Sequence, residues 1–329
     1  GDATDLTTIF GENITAHTGA VTVTDGDYTV TELVAIAGGT SGQITLSDNT
    51  VGLSGTVTDL NTIFSENFAA AHEGTVTITN AVAYDIDKLK TINAGTDGAI
   101  TLNDTTIALS GDATDLALAL AATINHAGAV TVTDAAYTVA ELTAIAGGTS
   151  GAITLSDNTV ALSGDASDLK TIFDESISDH IGAVEVTDGS YNVSELLSIA
   201  NGKTSGTITL SDNTVALSGD ATELTTIFGE TFAATHNGAV TITDGGYNLS
   251  ELKSVNAGTD GAITLSDNTV ALSGDATELA LALAGTINHN GAVTVTDGGY
   301  NVSELAAIAG GTSGAITLSD NTVALSGDA

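Results

Sequence analysis

The chain repeats itself. Cutting before each glycine that follows Leu-Ser divides the 329 residues into six units, 1–54, 55–110, 111–163, 164–218, 219–273 and 274–326. A period of this kind argues against ordinary aperiodic globules, because each unit has too little apolar surface to close a core and must bury it against its copies. The third and sixth units share the string Leu-Ala-Leu-Ala-Leu-Ala and lack phenylalanine, so two super-repeats, 1–163 and 164–326, stand out.

Each unit divides again into halves of about 27 residues that run through a cap, a short helix and a strand. The caps are Asp2, Thr29, Thr56, Asp85, Asp112, Thr138, Asp165, Asn192, Asp220, Asn248, Asp275 and Asn301. All have a side-chain oxygen that can accept from the free amides of a first helical turn. An acid follows three residues later in every half but the one carrying Lys88, which makes a capping box. Leucine comes next in all twelve halves, and in ten an Ile or Val stands three residues beyond it, as at Leu6 and Ile9 or Leu33 and Ile36. That spacing puts both side chains on one helical face.

The helices run into glycine-rich sequence such as Ala37–Gly42, which predicts a left-handed glycine cap and a turn. The period then changes to two: Val21 and Val23 alternate with Thr22 and Thr24, and Ile44 and Leu46 with Thr45 and Ser47. Such strands turn aliphatics inward and hydroxyls outward. Second halves add a short alternating run, Asn-Thr-Val-Ala-Leu-Ser-Gly, before the next cap. The expected fold is a right-handed α/β solenoid of short capped helices and short parallel strands, continuous over 1–329, with twelve half-repeats stacked in register. A coil of about 27 residues and one of about 54 both fit the spacing.

The net charge is −36, from 41 acids against five lysines, with no arginine. So anionic a surface repels phosphate backbones and acidic lipid headgroups, which excludes nucleic acid as a partner. No apolar run is long enough for membrane insertion. Cysteine is absent, so there is neither a disulfide frame nor a thiolate ligand. The chain starts and finishes on Gly-Asp-Ala, lacks methionine and shows no polar capping repeat at either end. An excised piece of a longer array, or one that associates end to end, is expected to look this way.

The strings Val-Thr-Val-Thr-Asp, Ile-Thr-Leu-Ser-Asp-Asn-Thr and Thr-Val-Ala-Glu-Leu, spread over all 329 residues, resemble the acidic repeat arrays of giant secreted bacterial surface proteins, including those of marine cyanobacteria and large adhesins. The string Ile-Thr-Leu-Ser-Asp-Asn-Thr-Val-Ala-Leu also resembles the strand-and-asparagine segment of leucine-rich repeats. The first resemblance implies an extracellular, secreted or cell-surface structural protein: a stiff acidic filament, surface layer or adhesin stalk. Its partners would be copies of itself, neighbouring repeats of a longer chain, or cell-surface glycans. The alternative is a module that binds ions, ice or glycans on its Thr/Asp face.

Three residue types recur at fixed phase and carry most of the candidate chemistry. In-register stacking would form one column from the residue after each strand: Asp25, Asp48, Asn80, Asp104, Asp134, Asp157, Asp188, Asp212, Asp244, Asp267, Asp297 and Asp320. Carboxylates ~5 Å apart repel by about 3 kcal/mol at an effective dielectric of 20. The column therefore needs either amides within each turn or bridging calcium ions. Histidine occurs once per unit, at His17, His72, His126, His180, His236 and His289. Neighbouring copies would lie roughly 10 Å apart, too far to share a zinc ion. A bond to carbonyls at a helix C-terminus is the expectation for each.

Tyrosine also occurs once per unit, at Tyr28, Tyr84, Tyr137, Tyr191, Tyr247 and Tyr300, in the position of a hydrophobic staple before a cap. Asn13, Asn103, Asn192, Asn248 and Asn301 head glycan-acceptor strings. No constellation of catalytic residues is found in one place only, and a non-enzymatic role is expected.

Overall fold

The computed structural model describes residues 1–11, 14, 17–80, 84–121, 124–174, 177, 180–202 and 205–326. Asn13 and the closing Gly-Asp-Ala lie outside them. The chain divides into two compact units, Gly1–Val160 with 175–178 and Ala161–Asp174 with 179–329.

The first unit contains helices α1 (Ala3–Gly11), α2 (Val30–Gly39), α3 (Val57–Phe64), α4 (Ile86–Gly95), α5 (Ala113–Leu120) and α6 (Val139–Gly148). Its three-residue strands are β1 (Val21–Val23), β2 (Ile44–Leu46), β3 (Leu53–Gly55), β4 (Val76–Ile78), β5 (Ile100–Leu102), β6 (Leu109–Gly111), β7 (Val130–Val132) and β8 (Ile153–Leu155). All pairing is parallel, in sheets ordered β1-β2, β3-β4-β5 and β6-β7-β8. Each helix packs against the next one in sequence.

The second unit repeats the scheme with α7 (Ala166–Asp174), α8 (Val193–Gly202), α9 (Ala221–Phe228), α10 (Leu249–Gly258), α11 (Ala276–Ala282) and α12 (Val302–Gly311). Its strands are β9 (Leu162–Gly164), β10 (Val184–Val186), β11 (Ile208–Leu210), β12 (Leu217–Gly219), β13 (Val240–Ile242), β14 (Ile263–Leu265), β15 (Leu272–Gly274), β16 (Val293–Val295) and β17 (Ile316–Leu318). They form parallel sheets β9-β10-β11, β12-β13-β14 and β15-β16-β17. Each unit is thus an α/β solenoid of short helices and short parallel strands.

The caps form as their chemistry dictates. Complete capping boxes close at Thr29 with Glu32, Thr138 with Glu141, Asp220 with Glu223, Asn248 with Glu251 and Asn301 with Glu304. The apolar pairs they launch, such as Leu33 with Ile36 and Leu224 with Ile227, are fully buried. Ile9, nearly half exposed, and the partly exposed Leu6 and Leu305 are the exceptions.

The left-handed glycine caps do not form. Helices α2, α4, α6, α10 and α12 end with an extended threonine, Thr40, Thr96, Thr149, Thr259 and Thr312. Among the described residues only Gly285 has a positive φ, 76°. The glycines before the threonines serve close approach instead: a Cβ on Gly258 would stand 2.3 Å from the Phe228 ring.

The helices stack one to each half-repeat, the shorter of the two windings expected, their starts 26 to 29 residues apart. The strands do not keep that phase: paired residues lie only 21 to 24 positions apart. The difference is absorbed at one place in each unit. Ile263 pairs with Val240 behind it and bridges Ile287 ahead of it, not Val293. Val293 finds its partner in Leu272, nine residues past Ile263. The Leu-Ser-Gly strand takes over the pairing, and a new three-stranded sheet begins.

Candidate functional site

The register breaks the expected aspartate column into pairs. Extending the β1–β2 ladder sets Asp25 beside Asp48, while the coil after Asp48 brings up His72 rather than Asn80. The two members of a pair have different jobs. First-half members reach back one coil and accept a helix N-terminal amide at 2.9 Å: Asp25 from Ala3, Asp134 from Ala113, Asp188 from Ala166, Asp244 from Ala221 and Asp297 from Ala276. Asn80 does the same for Val57 through its amide oxygen. A carboxylate at a helix N-terminus also opposes the macrodipole.

Second-half members close their own turn. Asp267 Oδ1 accepts from both the Thr269 hydroxyl, 2.7 Å away, and the Thr269 amide, 3.0 Å away. Asp48, Asp104, Asp157, Asp212 and Asp320 make the same pair of bonds to the threonine two residues on. The hydroxyl first, and the amide second, hold these six carboxyls below the ordinary carboxylate range. Among the described residues, no three His, Asp or Glu side chains come together as a metal-binding group.

The tyrosines are buried, as a staple requires, and they do a second thing that spacing could not show. Each hydroxyl donates to the main-chain carbonyl of a second-half aspartate in the next coil: Tyr84 to Asp104 at 3.0 Å and Tyr247 to Asp267 at 2.9 Å, with Tyr28, Tyr137, Tyr191 and Tyr300 alike. Burial first, and the neighbouring aspartates second, push Tyr28, Tyr137, Tyr191 and Tyr247 up to about 12.

The histidines correct their expectation. Where both ring bonds are seen, the side chains do not bond to a helix's last carbonyls but tie three coils together. His236 Nε2 lies 2.9 Å from the Val215 carbonyl in the preceding coil, and Nδ1 lies 3.3 Å from the Thr259 hydroxyl in the following one. His126 bridges Ile107 and Thr149, and His289 bridges Val270 and Thr312, with distances of 2.8 to 2.9 Å. It is a main-chain amide, that of His72, that satisfies the last carbonyl of α4, at Gly95.

Phenylalanine covers the ring in four units, as in the pair Phe228 and His236 with centroids 5.7 Å apart. Beside the histidines the backbones stack on glycine alone. A Cβ on Gly261 would stand 1.9 Å from the Gly238 carbonyl oxygen.

The outward hydroxyls form short rows across each sheet, Ser54–Thr77–Thr101 and Ser218–Thr241–Thr264 among them. Glu185 interrupts the row between Ser163 and Thr209. A groove of about 650 Å³ is lined by Phe64, Phe68, Glu66 and Lys90, among others. Of the glycan-acceptor asparagines, Asn192, Asn248 and Asn301 are occupied as helix caps, whereas Asn103 is exposed. No helix of the described residues is long and apolar enough to cross a membrane.

No protein-family model and no curated protein matches the chain. Similar solved structures include the leucine-rich-repeat ectodomain of the plant membrane receptor kinase GASSHO1/SCHENGEN3 from Arabidopsis thaliana, in complex with CASPARIAN STRIP INTEGRITY FACTOR 2. It is 9% identical, with a TM-score of 0.22, over 91% of this chain and 38% of that one. The chain therefore spans well under half of that ectodomain. The leucine-rich-repeat-containing protein LegL7 from Legionella pneumophila is 16% identical, with a TM-score of 0.19, over 92% of this chain and 91% of its own. Superposition this loose says nothing about function.

Proposed function

We propose that the chain is a structural spacer in an extracellular repeat array of the filament, surface-layer or adhesin-stalk type, with neighbouring repeats or further copies of itself as its partners. One observation carries this reading: the polar groups that could build a site recur at the same phase along the chain and bond to the adjoining coil or to their own turn. The Tyr247 hydroxyl, the Asp244 and Asp267 carboxylates and the His236 ring are all engaged in this way. A catalytic or ligand site ordinarily breaks the repeat that holds it. The surface location rests on the repeat's resemblance to secreted arrays and on its acidity, which keeps long chains apart in solution.

The test is length. Tandem genes encoding one, two and three copies of residues 1–326 are expressed, and the particles are measured in electron micrographs. A spacer lengthens in proportion to copy number at constant width. Particles that grow in all dimensions contradict it.

A second reading, a face that binds ice or glycans, is favoured only by the in-register hydroxyl rows such as Ser218–Thr241–Thr264. Thermal hysteresis or retention on a glycan array would support it, and failure in both would remove it.

A further inference from the structure

The histidine clips do more than hold the coils. We propose that they make the stack acid-releasable: a pH-sensitive device, seated at His126 and His236, that loosens the coils when those imidazoles are protonated.

The geometry at His236 carries the proposal. The residue is 2% exposed, its ring lies against Phe228, and both ring nitrogens are spoken for by other coils. The Val215 carbonyl can only accept, so Nε2 carries the proton and Nδ1 keeps the lone pair. The Thr259 hydroxyl, 3.0 Å from the His236 carbonyl, also accepts from the Gly261 amide and so fixes the next turn. His126 is buried to 3% and bonded in the same manner, between Ile107 and Thr149.

Neither ring bonds to a carboxylate: the partners are a carbonyl and a threonine hydroxyl in both. The acids nearest in sequence on the elements packed around His236 are Asp212, Glu230 and Asp260. Asn237 and Ala127 stand beside the two histidines where Glu73 stands beside His72. A charge formed at either ring is therefore buried without a bonded counter-ion, which is costly. Water has a route to His126, because in the phenylalanine-free unit a groove of about 480 Å³ opens between Asn125, His126, Gly148 and Thr149.

The titration agrees in direction. Burial, only partly offset by the bond to a carbonyl, pulls His126 and His236 below the ordinary value of 6.5. The unfolded chain thus binds protons that the native one refuses. Stability is full above 6.5 and declines as pH falls through that value toward the clipped one. Each refused proton multiplies the unfolding constant by up to about tenfold per pH unit. The carboxyls held low by threonine bonds begin to contribute only near and below 3.8 for the aspartates and 4.5 for Glu32 and Glu141, so the window between about 7 and 5 belongs mainly to histidine.

The experiment follows urea unfolding of the whole chain at several pH values from about 7.5 to 5.5, in enough NaCl to screen the surface charge. A second chain carries His126→Gln and His236→Gln, since glutamine keeps an N–H for the carbonyl and does not titrate. The midpoint is expected to fall with pH in the parent and to fall less in the variant. A parent midpoint that stays flat or rises overturns the proposal, as does an equal fall in both. Should the variant fail to fold, proton NMR titration of the parent decides. Ring half-points for His126 and His236 below 6.5 sustain the device, and half-points at or above 6.5 overturn it.

Discussion

The Tyr247 hydroxyl donates to the Asp267 carbonyl 2.9 Å away, while the Asp267 side chain accepts from the Thr269 hydroxyl at 2.7 Å. One residue thus receives the preceding coil on its backbone and shapes its own turn with its carboxylate. Replacing Tyr247 by phenylalanine keeps the packing and removes only the donor. The urea midpoint should fall by the equivalent of about 1 kcal/mol. An unchanged midpoint would show that the ring alone matters.

Burial of the same rings sets an alkaline limit. Tyr28, Tyr137, Tyr191 and Tyr247 are raised to about 12 from an ordinary 10.0. A group whose folded value is raised contributes its stability below the unfolded value and loses it as pH rises through the folded one. Thermal midpoints should therefore hold up to about pH 10 and drop between roughly 10 and 12. A chain with all four tyrosines changed to phenylalanine should show a smaller drop.

Two glycines predict opposite outcomes for one substitution. Gly261→Ala places a methyl group 1.9 Å from the Gly238 carbonyl oxygen, so the coils must part. A loss of roughly 3 kcal/mol or more is expected. Gly147 is an exposed residue of α6 with nothing within 4 Å of its Cβ position. Gly147→Ala should gain up to about 1 kcal/mol from helix propensity. Denaturant midpoints of the two variants check both signs.

Asp244 caps α9 from the neighbouring coil, and Asn80 does the equivalent for α3 with an amide oxygen. The acceptor rather than the charge is what the amide requires. Asp244→Asn should therefore change stability by less than about 0.5 kcal/mol, whereas Asp244→Ala should cost about 1 kcal/mol. Equal losses in the two would mean that charge dominates.

The aspartate pairs also bear on calcium. With one oxygen of each carboxylate engaged in a turn or a helix cap, divalent ions are expected to act through screening of the −36 charge. Calcium and magnesium chlorides at equal ionic strength should raise the melting midpoint equally. A gain specific to calcium would restore the bridged ladder as the reading of Asp25, Asp48 and their counterparts.

Local chemistry and the stacking of one helix per half-repeat were legible in the sequence, and the strand register was not. Caps such as Asp220 and Asn248 follow from side-chain oxygens three residues ahead of an acid, and strands such as Val240–Ile242 from strict alternation. Both depend on neighbours in the chain. The coil length depends on which strand meets which, and Val293 has two eligible partners of the same pattern in Ile263–Leu265 and Leu272–Gly274. Repeat phase favours the first; the structure uses the second. The aspartate column was drawn from that repeat phase, whereas the histidine caps were drawn from helix-end electrostatics, which does not say which coil a ring will face. The extended threonine caps had a visible signal in the Thr that follows each Gly-Gly or Ala-Gly, but glycine chemistry overshadowed it.

The handover of pairing from Ile263–Leu265 to Leu272–Gly274 is the feature that separates these coils from a plain stack of half-repeats. The chain has no cysteine, so engineered pairs report on it cleanly. Residues in register on adjacent parallel strands lie close enough for a disulfide, whereas residues several positions out of register do not. Under mild oxidation Ser273→Cys with Thr294→Cys should close in the folded chain, and Thr264→Cys with Thr294→Cys should stay reduced. Closure of the second pair and not the first would contradict the winding and restore half-repeats stacked phase on phase.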